Sequence, residues 1–129
     1  MSYTLELLED LPVLFVSFGA DAQLGELVTT INEEAFAIFE AQSKPIYYVV
    51  DTRNMKFNFN DILTGVQEST KGSRALLVHP KMKQLIVITN SKAISTVVKG
   101  LNTVTFGNIN ALVFDSVEEA LNHIRANAA

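Results

Sequence analysis

The chain has 129 residues, 48% of them apolar, and a net charge of −4. That is the length of one domain, long enough to bury about two-thirds of the surface exposed by its unfolded form, and no apolar run approaches the ~20 residues of a bilayer-spanning helix. With no cysteine and only His79 and His123, disulfides, thiolate nucleophiles, sulfur-ligated zinc and iron–sulfur clusters are excluded, and a histidine-rich metal site has too few ligands.

Tyr3 to Glu9 alternates apolar and polar residues, and Val13 to Phe18 follows after Asp10-Leu11-Pro12, so the connection is short enough to require an antiparallel pair. Leu24, Leu27, Val28, Ile31, Ala35, Ile38 and Phe39 then form a stripe of period 3.6, with Asp21 placed to cap the helix. Ser43-Lys44-Pro45 ends it, because proline cannot continue a helix and biases its predecessor away from helical angles.

Pro45 to Asp51 is β-branched and aromatic without alternation, the composition of a central strand covered on both faces. After Thr52-Arg53-Asn54, Asn60 can cap a second helix carrying Ile62, Leu63 and Val66, which His79-Pro80 brings to an end. Gln84 to Thr89 is another strand of the buried type. Ser91 opens a helix with Ile94, Val97, Val98 and Leu101 on one side and Gly100 as its terminator. Ile109 to Phe114 is the last strand, and Ser116-Val117-Glu118-Glu119 is a capping box before Ala120, Leu121 and Ile124.

These elements predict one α/β domain over residues 1–129, in the order β-β-α-β-α-β-α-β-α, with a mixed sheet of about five strands and about four helices. The leading hairpin is antiparallel and the remaining strands are mainly parallel. The sequence leaves the strand order at the sheet edges open.

The element order, the hairpin at residues 3–18 and the strand-end acid Asp51 before a turn into the second helix resemble the STAS family, which includes the bacterial anti-sigma-factor antagonists. So do the passage from Ser95 through Val98 to Leu101 and the closing run from Val113 through Ser116 to Leu121. The likeness spans nearly the whole chain. It implies a SpoIIAA-like α/β fold and a regulatory, protein-binding role. In family members that act as phosphorylation switches, a serine or threonine opens the second helix within a stretch resembling Asp-Ser-Ser-Gly-Leu. The matching stretch here is Phe59-Asn60-Asp61-Ile62-Leu63, which keeps only the leucine, so the switch does not carry over. Asp61 either imitates a fixed negative charge at the helix N-terminus, where the macrodipole favours an anion, or with Asn60 simply starts the helix.

No GxGxxG or Walker pattern places glycines after a strand, and two histidines on unrelated segments give a serine nucleophile no evident base. Both histidines are read as surface residues. Asp51, Arg53 and Asn54 stand where open α/β sheets gather ligands, at the carboxyl end of a central strand. Arg53 could hold an anionic group with Asp51 orienting it, or the acid and amide could serve the turn backbone. Met55, Phe57 and Phe59 either plug the sheet edge or form an apolar docking patch. Glu33-Glu34 and Glu118-Glu119 fall on solvent sides of their helices.

Charge is segregated along the chain: residues 1–68 hold 11 acids and 3 bases, residues 69–114 hold no acid and 6 bases, and residues 115–129 hold 3 acids and 1 base. The basic stretch either forms a continuous face or folds against the acids. An acidic total without basic, aromatic-interleaved stretches argues against nucleic-acid binding. The start Met1-Ser2-Tyr3-Thr4 lacks the pattern of a secretory leader, so a cytoplasmic location is expected.

The leading expectation is therefore a non-catalytic STAS-like module docking another protein, or itself as a homodimer, through Asp51, Arg53, Asn54, Met55, Phe57, Phe59, Asn60 and Asp61. It calls for no cofactor, no metal and no membrane span. The alternative is a carrier or sensor of a small apolar or lipid-like ligand.

Overall fold

The computed structural model describes residues 3–19, 24–53, 79–100 and 110–127, with side chains of the first helix described from residue 30 onward. The elements are β1 (Tyr3–Leu7), β2 (Val13–Phe18), α1 (Leu24–Glu40), β3 (Ile46–Asp51), β4 (Met82–Ile88), α2 (Lys92–Gly100), β5 (Ala111–Phe114) and α3 (Val117–Asn127). Three helices are thus described rather than about four. The helix expected from Asn60, like the Asp21 cap, lies outside the described residues.

The strands form one sheet in the order β1-β2-β3-β4-β5. β1 runs antiparallel to β2, and all later pairs are parallel. α1 and α2 pack on one face of the sheet and α3 on the other. This division has a topological cause. Every step from β2 to β5 moves one strand in the same direction, so right-handed crossovers place α1 and α2 on a common face. α3 follows the edge strand β5 and covers the opposite face.

Alternation in each strand feeds both layers. Leu14, Val16, Tyr48, Leu85 and Val87 meet Ile31, Ala35 and Phe39 of α1 and Ile94 and Val98 of α2. Val13, Tyr47, Val49, Ile86 and Ile88 meet Ala120 and Ile124 of α3. Full burial of each larger aliphatic side chain contributes ~1.5–3 kcal/mol relative to exposure. β3 is buried on both faces, as its unbroken apolar run requires.

Helix ends follow their local chemistry. Gln42 Nε2 donates to the Ile38 carbonyl at 3.0 Å where α1 stops before Pro45. The Ser116 hydroxyl accepts the Glu119 N–H at 3.2 Å at the start of α3, and the Ser91 hydroxyl accepts the Ile94 N–H at 3.4 Å at the start of α2. Among the described residues no helix is long and apolar enough to cross a membrane.

Candidate functional site

In a parallel sheet the carboxyl ends of the strands share one edge, and that edge brings together Asp51, Thr52, Arg53 and Thr89. The Asp51 side chain, largely buried, accepts the Arg53 backbone N–H at 3.1 Å, closing a tight turn. Arg53 then folds back on it: Nε donates to Oδ1 at 2.9 Å and Nη2 to Oδ2 at 2.8 Å. This bidentate pair fixes the guanidinium plane, and the carboxylate's hydrogen bonds and charge hold Arg53 above its ordinary pKa. The Asp51 carboxylate thus serves the turn, as one sequence reading expected, and also orients the Arg53 guanidinium.

Thr52 and Thr89, which sequence reasoning passed over, lock this edge. The Thr52 backbone N–H and hydroxyl both donate to the Ile88 carbonyl at 2.9 Å. Thr89 donates its backbone N–H to the Phe114 carbonyl at 3.1 Å and accepts the Ser91 N–H on its hydroxyl at 3.0 Å. A threonine directly after an apolar strand was the available signal, because its hydroxyl can satisfy backbone groups where the ladder ends. Asn54, Met55, Phe57, Phe59, Asn60 and Asp61 lie outside the described residues.

His79 corrects the sequence reading, which placed it on the surface. It is 6% exposed, with Phe36 edge-on at 4.8 Å and Phe39 tilted at 5.9 Å between ring centroids. The aromatic positions of α1 form a pocket that a loop histidine fills, and spacing along the chain cannot show this contact. Its Nδ1 accepts the Lys81 backbone N–H at 2.9 Å, so Nε2 carries the proton and donates to the Glu40 carboxylate at 2.6 Å. With both ring nitrogens occupied, His79 ties the end of α1 to the start of β4.

His123 is only partly buried, against Phe114 with ring centroids 5.5 Å apart. It donates from Nε2 to Gln84 Oε1 at 3.1 Å. Neither histidine contacts a serine or threonine hydroxyl among the described residues, and no group of three or more histidine, aspartate or glutamate side chains suited to a metal occurs among them. Glu33, Glu34, Glu118 and Glu119 are exposed as expected.

An antiparallel strand leading an otherwise parallel five-stranded sheet, with helices on both faces, defines the class of this fold as a mixed α/β domain. Solved structures with this arrangement match over nearly the whole chain. An uncharacterized protein of the DUF3478 family from Shewanella loihica PV-4, with a SpoIIAA-like fold, superposes with a TM-score of 0.59 at 13% identity, covering 95% of this chain and 92% of that one. The anti-sigma factor antagonist SpoIIAA in its unphosphorylated form gives 0.57 at 12% identity, covering 97% of each chain. No family model matches the sequence, and no curated protein matches it. At such identities the likeness is one of fold, and in fold the chain is SpoIIAA-like, as its sequence resemblance implied.

Proposed function

We propose that this chain is a non-catalytic regulatory module that works without a phosphorylation switch and docks a protein partner at the carboxyl edge of its sheet. The surface comprises Asp51 and Arg53 and continues through Asn54, Met55, Phe57, Phe59, Asn60 and Asp61. The observation that carries this reading is the Asp51–Arg53 pair. It holds a guanidinium whose side chain is 34% exposed in a fixed plane, with the Nη1 N–H groups unpartnered among the described residues. Arginine fixed in this way is a common anchor of protein interfaces.

Two further points support it. The shared fold includes an antagonist of an anti-sigma factor, a role that consists of binding another protein. The stretch Phe59-Asn60-Asp61 offers no hydroxyl at the position where the STAS switch is phosphorylated. The carrier reading is the alternative, and a cavity among the described residues is lined by Tyr47, Lys83, Gln84, Asn110, His123 and Asn127.

Cross-linking in the host cell, read by mass spectrometry, tests the proposal. Cross-links to a partner are expected within residues 51–61 and should vanish in the combined variant R53A, F57S and F59S, provided its circular dichroism is unchanged. Cross-links on another face, or their persistence in the variant, would overturn it.

A further inference from the structure

A second site stands at the opposite, amino edge of the sheet and owes nothing to the docking surface. Here β3 and β4 fall out of step: Ile46 pairs with Met82 but Tyr47 pairs with Gln84, so Lys83 is an extra residue in β4. Regular alternation would put Met82 and Leu85 on opposite faces. Both instead pack against the layer under α1 and α2. The bulge therefore frees two consecutive polar residues, Lys83 and Gln84, to line the same groove, and bulges of this kind re-aim side chains beside functional sites.

The groove has a volume of about 250 Å³ and is lined by Tyr47, Lys83, Gln84, Asn110, His123 and Asn127. Its hydrogen bonds run in one direction. Asn127 Nδ2 approaches His123 Nδ1 at 3.4 Å, His123 Nε2 donates to Gln84 Oε1 at 3.1 Å, and Gln84 Nε2 donates to Asn110 Oδ1 at 3.0 Å. The chain gives Gln84 Oε1 and Asn110 Oδ1 a donor each and ends on the Asn110 amide nitrogen, itself a donor. Lys83 Nζ stands 5.2 Å from the centroid of the Tyr47 ring and has no carboxylate partner among the described residues. No lining residue among those described is acidic. A groove whose described residues supply one cation, a free amide donor and no negative group selects an anion, and a single positive charge matches a single negative one. The volume lies below the ~300–1,000 Å³ of pockets for drug-sized molecules, so the ligand is small.

We propose that this groove binds a small monocarboxylate, its oxygens held between the Lys83 ammonium and the Asn110 amide. The test is a ¹H–¹⁵N titration of the full chain with sodium propionate, with propionamide and sodium chloride at matched concentration as controls and inorganic phosphate as the competing anion. Propionate should shift the side-chain amides of Gln84 and Asn110 saturably, and the two controls should not. K83M keeps the aliphatic stem and removes the charge, so it should weaken binding about tenfold or more, and N110A should weaken it with Lys83 intact. Saturation by propionamide, unaltered affinity in K83M with an otherwise native spectrum, absence of any saturable shift, or tighter binding of phosphate would each overturn the assignment.

Discussion

Tyr48 lies in the layer beneath α1, 4% exposed and edge-on to Phe39 with ring centroids 5.6 Å apart. Burial disfavours its phenolate and holds its pKa well above the ordinary value of about 10. Below that value the tyrosine is protonated in both the folded and unfolded chain, and it gives stability no dependence on pH. As pH rises past about 10 the unfolded chain releases the proton while the folded one keeps it, so stability should fall, by at most ~1.4 kcal/mol per pH unit from this residue. Tyr3 titrates in the same direction, because its hydroxyl donates to Glu34 at 2.7 Å and that bond favours the protonated form. Urea unfolding of Y48F beside the parent chain, between about pH 9 and 11, separates the two. The variant should lose most of the alkaline slope, and an unchanged slope would mean that the Tyr48 ring is open to water.

Each described helix is started or stopped by a short polar side chain, and α3 offers the cleanest trial of such a cap. Its hydrophobic stripe is brief, with Ala120 and Ile124 buried and Val117 and Leu121 partly so, and the Ser116 hydroxyl satisfies an N–H that would otherwise lack a partner in the helix. S116A should cost about 1 kcal/mol in urea unfolding, and S116D should restore most of it. A loss of similar size in both variants would show that the serine acts through packing. This cap was legible from Ser116-Val117-Glu118-Glu119 because capping is local chemistry. The same holds for the period of α1, the unbroken apolar runs of β3 and β4 and the turn at Asp51. Strand order, the register slip at Lys83 and the enclosure of His79 by Phe36 and Phe39 depend on partners distant in the chain. No pattern within a single segment encodes them. The slip left one trace, the sequence Met82-Lys83-Gln84-Leu85, in which two polar residues stand between two core residues where alternation allows only one.

For the molecule as a whole, the crossovers decide where segregated charge comes to rest. Each of β2 to β5 begins at the amino edge, so α1 and α2 must end there. That edge accordingly gathers Glu9 and Asp10 from the first turn and Glu40 from the end of α1, together with Lys44 before β3, Lys81 and Lys83 entering β4, and Lys99 at the end of α2. Lys92, at the start of α2, falls at the carboxyl edge instead. Among the described residues, acids of the first segment and bases of the second thus mix on one edge, and the bases of the second are divided between two. Long-range steering between copies is favoured by a surface field of one sign, which this interleaving weakens among the described residues. If the chain pairs with itself through the proposed docking surface, the pairing does not depend on these charges. Light scattering at roughly 0.02 M and 0.5 M salt, where the screening length falls from ~20 Å to ~4 Å, should therefore give the same molar mass. A dimer at low salt that dissociates at high salt would instead place the interaction in the charged segments, and would require the masses to revert when Lys81, Lys83 and Lys99 are replaced together by glutamine.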